Sequence, residues 1–589
     1  MKEINSILIA NRGEIASRVI RTCRKMGIRS IAVYSDADRN AIFVQQADMA
    51  IYIGESQANA SYLNQDKIIE AAKASNADAI HPGYGFLSEN ADFSKRCAAE
   101  EIIFIGPKAE VIEAMGSKSS AKQLMDQHSV PTVPGYQGTA QSEKVLIEKA
   151  IEIGFPLLLK AAAGGGGKGM RIVEKEGDLK QAIQAAKSEA KNAFGNDELI
   201  IEKYISAGRH IEFQIFGDQH KNVIHLLERE CSIQRRYQKI VEESPSPIMT
   251  DELRIEMGNI TIKAAKALNY DNAGTVEFIF DEQTNEYYFL EINTRLQVEH
   301  LVTEAITGLD LVQMQIESAE GKRLSITQKD IKANGYAVEV RLYAEDANNN
   351  FAPDAGQIKY FKAPQVDGLF VESSIESGSN VSVYYDPMIA KLIVWAEDRS
   401  IAHKKMHYVL CQLNCLGIST NQNFLRLLFE NEDFKNGIYN TNFISNNPQL
   451  FEELEKNDST KNNAAIAATL FQWNKRQQKQ GLLKAMPSGW RNNLYQGQKE
   501  SFLHNEETII LTYQFTNIHF EISIKDVDYK VKFISCTEEN LMVEIDGILL
   551  QFSIAKKGNE YYIHNESNGN LKLIQTFTYS RKIKGCWRI

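Results

Sequence analysis

The first hundred residues repeat one pattern, and it restricts the fold more than anything else in the chain. Ile7-Leu8-Ile9-Ala10 is a short apolar run, Gly13 opens an amphipathic stretch to about Met26, and Ile31-Ala32-Val33-Tyr34 is apolar again. Runs of four suit buried strands, and the stretch between them suits a crossover helix. Ala77-Asp78-Ala79-Ile80 and Ile102 to Gly106 continue the series. Strands joined through helices pair in parallel, so residues 1–115 are predicted to form a doubly wound, Rossmann-like α/β domain. The strand-to-helix turn Asn11-Arg12-Gly13-Glu14 lacks the G-x-G-x-x-G fingerprint, so that shape is expected without a bound dinucleotide.

A length of 589 residues leaves room for three or four domains. Pro131-Thr132-Val133-Pro134-Gly135 marks a boundary. Beyond it, a strand at 156–160 ends in Lys160, and Gly164-Gly165-Gly166-Gly167-Lys168-Gly169 leads on to a second strand at 199–204. Strands are expected near 211–216, 223–228, 275–280 and 287–292. After about residue 455 the character changes: 462–479 reads as a helix, and short β-rich runs follow from Glu507. Asp546-Gly547 sits between two such runs and fits a type I′ hairpin turn. Further alternating runs at 560–565 and 571–577 predict an antiparallel barrel or sandwich.

A net charge of -10 argues against a general nucleic-acid or membrane-surface binder. The seven cysteines (23, 97, 231, 411, 415, 536 and 586) show no C-x-x-C spacing, so neither a structural zinc nor a disulfide framework is expected. Cys411 and Cys415 read as core residues. The N-terminus runs directly into an apolar strand without a signal peptide, and no window approaches 18 apolar residues. The expected location is cytoplasmic, with no membrane or nucleic-acid partner.

Chemistry concentrates in Glu291-Ile292-Asn293-Thr294-Arg295-Leu296-Gln297-Val298-Glu299-His300. If this run is extended, Glu291, Asn293, Arg295, Gln297 and Glu299 share one face while Leu296 and Val298 anchor the other. Hard oxygen ligands beside a guanidinium suit a divalent metal and a small anion, hence phosphate chemistry. Glu277, in the strand Thr275 to Phe280, would pair across a tight turn with the strand ending at Glu291. Two carboxylates on one site fit magnesium held together with nucleotide phosphate. The glycine run lacks the G-K-[ST] ending of a P-loop, but its backbone can approach phosphate oxygens and act as a mobile cover. Lys118 and Lys160 are candidate phosphate partners, and the strand end Glu202-Lys203-Tyr204 offers backbone to an adenine edge. The run Glu228 to Lys239 reads equally as a solvated loop or as a clamp on a transferring phosphoryl group. His81 and His210 read as core or ribose-facing.

These residues carry a resemblance. Ile9-Ala-Asn-Arg-Gly-Glu-Ile15, His81-Pro-Gly-Tyr-Gly-Phe-Leu-Ser-Glu-Asn90, Phe104-Ile-Gly-Pro107, Met115-Gly-Ser-Lys118, the glycine run, Gln234-Arg-Arg236 and Glu291–His300 together resemble the biotin carboxylases, over residues 1 to about 450. The resemblance implies an ATP-grasp domain at 116–330 with a glycine-rich lid at about 132–204, followed by a carboxylase C-terminal domain at 331–450. It also implies ATP, magnesium (or manganese) and bicarbonate as ligands, with biotin as a carboxyl acceptor not attached to this chain.

By the same resemblance Lys118, Lys160, Gly165, Gly166, Glu202, Lys203, His210 and Gln234 bind ATP, the two histidine and glutamine residues toward the ribose. Glu277, Glu291 and Asn293 hold the metal. Arg295, Gln297 and the Val298 backbone bind bicarbonate, with Glu299 as its base. Lys239 steadies the phosphorylated intermediate, and Arg341 faces the biotin ureido oxygen. Tyr237 stands where the family usually has histidine, and Leu301 where it usually has proline; altered ATP affinity is expected from the first.

The C-terminal piece, through Pro487-Ser-Gly-Trp-Arg-Asn-Asn493 and the β-rich run after it, resembles the region following biotin carboxylase in acyl-CoA carboxylase α subunits. That resemblance implies a β-rich subunit-docking domain at 460–580, a carboxyltransferase β subunit and a biotin carrier protein or domain as partners, in a homo-oligomer or α/β assembly. The Ala-Met-Lys-Met sequence of a carrier is absent, Lys484-Ala485-Met486-Pro487 being the nearest run. The alternatives are an inactive carrier-less scaffold subunit, or another ATP-grasp carboxylate ligase.

Overall fold

The computed structural model describes residues 3–162, 170–451, 458–479, 497–516, 518–567 and 569–576, with the side chains of Lys118, Ser119 and Phe194 excepted. The glycine run from Gly164 to Gly169, including Gly165 and Gly166, lies outside the described residues, as do Pro487–Asn493 and the last thirteen positions.

The opening pattern folds as its periodicity demands. Strands β1 (Ser6–Ile9), β2 (Arg29–Ser35), β3 (Met49–Gly54), β4 (Ala79–His81) and β5 (Ile103–Phe104) form a parallel sheet in the order β3-β2-β1-β4-β5. The helix Gly13–Met26 packs Ile15, Val19 and Ile20 onto it and ends at Gly27 in the left-handed conformation, with φ 73°. That φ suits glycine, which carries no Cβ to clash.

A small antiparallel sheet follows, ordered β6-β9-β7-β8, from β6 (Gly135–Tyr136), β7 (Leu157–Ala161), β8 (Arg171–Val173) and β9 (Leu199–Lys203). The helices Glu143–Ile153 and Glu176–Phe194 cover one face, burying Leu146, Ile183 and Ala186. Neither helix was among the sequence-based expectations. In the longer one, Glu176–Phe194, the apolar positions are mostly alanines, a weak periodic signal.

The main sheet has eight antiparallel strands. Its first six are β14 (Glu286–Asn293), β13 (Asn272–Asp281), β10 (Gly208–Gly217), β11 (Val223–Arg235), β12 (Gln238–Ser244) and β15 (Tyr336–Tyr343), in that order, followed by strands 388–396 and 369–373. Helix Asp251–Ala267 packs over β10 and β11, and helices 399–412 and 422–430 pack beside β15. The run Glu228 to Lys239 is therefore not a solvated loop. Glu228, Arg229 and Glu230 are buried in β11, and only the tip at Arg236 and Tyr237 turns outward, both with positive φ.

At the C-terminal end eight strands between Gln498 and Gln575 close into an antiparallel barrel, so the barrel and not the sandwich is formed. Asp546 and Gly547 have φ of 49° and 85°, the pair of positive values a type I′ turn requires. Helix Asp458–Lys479 packs Ala464, Ala468 and Phe471 into the same core as the inward-facing Phe502, Ile522, Val543 and Leu573. The barrel sits on the preceding domain through Ala555 and Tyr562 against Leu416. No helix among the described residues is long and apolar enough to cross a membrane.

Candidate active site

A cavity of about 590 Å³ lies between the small sheet and the main sheet. Lys160, Glu202 and Lys203 reach it from one side, and His210, Gln234, Lys239, Glu277, Glu291, Asn293, Arg295, Gln297, Val298 and Arg341 from the other. All of the expected site residues whose side chains are described, except Glu299, line this one space. Glu299 is fully buried just behind it.

Strand register explains the convergence. Glu277 and Glu291 are direct cross-strand partners, as the turn between their strands predicted. Glu212 and Glu277 are partners across β10 and β13. Side chains opposite each other in an antiparallel pair share a face, so the carboxylates gather by necessity.

Lys239 balances them. Its ammonium lies 2.5 Å from Glu212, 2.9 Å from Glu277 and 2.7 Å from Glu299, using all three of its donors. These carboxylates hold its pKa well above the ordinary lysine range despite burial. Arg341 donates to Glu242 at 2.6 Å and to Glu299 at 2.9 Å. The two cations hold Glu299 well below its ordinary range against the opposing effect of burial. Burial pushes Glu242 up to about 7. His210 lies 2.9 Å from the second Glu277 oxygen, and Lys239 and His210 together keep Glu277 ionised.

The extended reading of Glu291–His300 needs correction. Strand β14 stops at Asn293, residues 294–299 form a loop, and a helix starts at His300. Leu296 drops into the N-terminal domain core beside Ile7 and Ile15, while Val298 joins the cavity lining instead of anchoring the opposite face. The polar residues still converge, because each is tied down separately. Glu89 accepts from the Thr294 amide at 3.2 Å and from Arg295 Nε at 2.9 Å. Arg295 reaches Gln297 Oε1 at 3.0 Å, while the Gln297 and Asn293 amides donate to Glu277 at 2.9 and 2.8 Å.

At the far end Lys160 pairs with Glu202, and Lys122 approaches the same carboxylate at 3.1 Å. These two ammonium groups bring Glu202 down to about 2, against its burial. The Lys203 and Tyr204 amides donate to the Pro134 and Pro156 carbonyls. Those two N–H groups are therefore spent inside the protein, while Glu202, Lys203 and Tyr204 all line the cavity. Tyr237, 49 % exposed, stands at the cavity rim in the β11–β12 turn. Leu301 packs with Val302, Ile306 and Ala337. His81 is buried away from the cavity, hydrogen-bonded to Gln315 and the Gly83 amide. The side chain of Lys118 lies outside the described residues.

Lys122, Glu89, Glu212, Arg229 and Glu242 escaped the sequence reading. The signal for Glu212 was available: it interrupts an apolar strand, the same argument that singled out Glu277. Arg229 is fully buried and bridges Glu212, Gln214 and Thr303, so it supports the carboxylates from below the cavity floor.

Three family models match in succession: "Biotin carboxylase, N-terminal domain" over residues 3–112, "Carbamoyl-phosphate synthase L chain, ATP binding domain" over 117–327, and "Biotin carboxylase C-terminal domain" over 339–446. The chain is 48% identical over 441 residues to biotin carboxylase 1 of Bacillus subtilis, covering 75% of this chain and 98% of that protein. It is 50% identical over 458 residues to the mitochondrial methylcrotonoyl-CoA carboxylase subunit alpha of Rattus norvegicus, covering 78% of this chain. The match spans 64% of the rat protein's length. Among solved structures, the biotin carboxylase domain dimer of Hydrogenobacter thermophilus 2-oxoglutarate carboxylase, in complex with MgADP, ADP and bicarbonate, superposes with a TM-score of 0.75 at 45% identity, over 77% of this chain and 100% of that one. A biotin carboxylase–ATP complex from Campylobacter jejuni gives 0.73 at 47% identity, over 75% and 99%.

Proposed function

The chain belongs to the biotin carboxylase family, and on that premise we propose that its first 450 or so residues carboxylate biotin with ATP and bicarbonate. The observation that carries this reading is Glu299 bracketed by Lys239 and Arg341, beside the Glu277–Glu291 pair, at one end of a cavity that has lysines at the other. We divide the chain at about 115, 330 and 450, with the barrel as a separate unit.

Glu277, Glu291 and Asn293 suit magnesium: they offer hard oxygens, and Glu277 is kept anionic. When bound, the ion would neutralise charge on the nucleotide phosphates. The rest falls to this chain's own side chains. Lys160 and Lys203 would hold the nucleotide, and Arg295, Gln297 and the Val298 backbone would hold bicarbonate. Bicarbonate is a weak nucleophile, so Glu299 takes its proton as it attacks the γ-phosphate, giving carboxyphosphate and ADP.

Glu299 without substrate is a poor base, because Lys239 and Arg341 favour its ionised form. Two incoming anions change that balance: they compete for the same cations and raise the carboxylate's proton affinity. The base thus becomes competent when both substrates are present, which limits wasteful ATP cleavage. Carboxyphosphate then yields CO2 and phosphate beside biotin. As the biotin urea nitrogen gives its proton to the released phosphate and attacks CO2, Arg341, charged at any working pH, would stabilise the ureido oxygen.

We further propose that the product passes to a carboxyltransferase subunit that the barrel contacts, with biotin delivered on a carrier protein or domain. The names of the rat relative and of the pig propionyl-CoA carboxylase alpha chain, 48% identical over 474 residues, support membership of such an assembly. The test is ADP release with magnesium, ATP and bicarbonate, with and without free biotin. Bicarbonate-dependent release stimulated by biotin is expected; normal ATP binding without release would favour a scaffold role instead.

A further inference from the structure

Behind the 294–299 loop lies a cation that the proposed chemistry does not use. Lys391, in the strand Met388–Ala396, is completely buried. Its ammonium donates to the Val298 carbonyl at 2.7 Å and lies 3.3 Å from Glu14 of the N-terminal domain. Its strand neighbours are Arg341 on one side and Glu372 on the other. Three parts of the chain therefore meet on one ammonium, and one of its contacts is the loop that lines the cavity.

The adjacent peptide is held in the same way. His300 is fully buried and neutral, desolvation and nearby cations disfavouring its charged form. Its Nδ1 lies 2.8 Å from the Gln297 carbonyl. A carbonyl can only accept, so the single ring proton sits on Nδ1.

A trans peptide is planar, and its C=O and N–H point in opposite directions. Fixing the Gln297 carbonyl on His300 therefore fixes the Val298 N–H on the other side, where Val298 lines the cavity. Fixing the Val298 carbonyl on Lys391 fixes the peptide plane from which Glu299 departs toward Lys239 and Arg341. We propose that Lys391 and His300 are positioning residues for bicarbonate, setting from behind the loop the direction of the Val298 N–H and the placement of Glu299. This rests on the reading of the loop as the bicarbonate site.

The test pairs each disruption with a control for folding or for geometry. K391M leaves Glu14 buried without its cation, so E14Q/K391M is made alongside it to remove that burden. H300L deletes the donor, whereas H300N keeps an N–H near the Nδ1 position. For E14Q/K391M and H300L we expect the KM for bicarbonate to rise about tenfold or more, the scale of a lost hydrogen bond to a charged or buried group. The KM for ATP should stay within about twofold, and 13C-bicarbonate binding followed by NMR line broadening should weaken by the same factor. H300N should restore most of the bicarbonate KM. An unchanged bicarbonate KM in the folded E14Q/K391M protein overturns the proposal. So does a parallel rise in both KM values, or H300N behaving like H300L. If the unaltered protein releases no ADP in response to bicarbonate, the site reading itself fails, and that outcome is distinct from the others.

Discussion

Replacing Glu299 with glutamine removes one charge and keeps the shape. The carboxylate accepts from Lys239 through Oε1 and from Arg341 through Oε2. A glutamine has one acceptor oxygen, so one of these contacts is lost and an NH2 is turned toward a cation. Losing a hydrogen bond to a charged group costs about 1.5–3 kcal/mol. Lys239 keeps Glu212 and Glu277, and Arg341 keeps Glu242, so neither cation is stranded. A penalty of about 3 kcal/mol is less than the 5–15 kcal/mol typical of a domain, and the variant should fold.

Catalysis should suffer far more. A positioned base contributes about 10²–10⁴-fold, and glutamine cannot take a proton. Bicarbonate-dependent ADP release should therefore fall by at least about a hundredfold. ATP affinity, measured calorimetrically, should hold within about threefold, because Lys160 and Lys203 at the other end of the cavity are untouched. Turnover above a tenth of the original would refute the assignment of Glu299 as base. So would loss of ATP binding in step with turnover, since that would mean the carboxylate only holds the site together.

Arg341→Ser should spare bicarbonate-dependent ATP cleavage more than biotin carboxylation; because Arg341 also holds Glu299, a loss of about tenfold in cleavage is allowed, but equal loss of both reactions would refute its role toward biotin. Glu243 is a buried hub that accepts from Tyr336, Arg399, His403 and Tyr439, and Arg399 and His403 hold it well below the ordinary carboxylate range. Glu243→Gln should destabilise by about 3–5 kcal/mol and lower Tm by roughly 10 °C, with the KM for bicarbonate unchanged. Burial depresses His81 and His225 to about 4 each, below the value of about 6.5 expected in the unfolded chain. The neutral forms stabilise the fold fully above that unfolded value, and the contribution is lost as pH falls from about 6.5 toward 4, reaching about 2.5 kcal/mol apiece by pH 4.5. Urea midpoints measured from pH 7 to 4.5 should fall accordingly, and His81→Gln should remove about 2.5 kcal/mol of that fall.

Strand-borne chemistry was the part of the site legible in the sequence. Glu277 and Glu291 were predicted to pair because an acid inside an apolar strand, across a tight turn from another, has one place to go, and register puts them together. The barrel's Asp546-Gly547 hairpin was legible for a similar reason, since few residue pairs accept positive φ twice in succession. What period-two reasoning missed was where β14 ends. Nothing in the alternation of Glu291 to His300 marks Asn293 as the last strand residue, because the loop beyond is shaped by distant partners: Glu89 from the N-terminal domain, Lys391 from a strand a hundred residues on, and the core that takes Leu296.

The same distance hides the ion pairs that set the site's charge. Lys239 reads in the sequence as one basic residue in a polar run, and only the folded sheet brings three carboxylates onto it from β10, β13 and the 294–299 loop. That convergence has a consequence for catalysis. The base role proposed for Glu299, with its proton affinity held down by two cations and released when two anions arrive, requires acids and cations packed densely in a buried sheet. Such packing is costly unless every member is paired. Glu212 and Arg229 meet that requirement, and Glu242 does so through one oxygen on Arg341, without touching the cavity, which is why residues beyond the reach of substrate should prove as sensitive to substitution as those that line it.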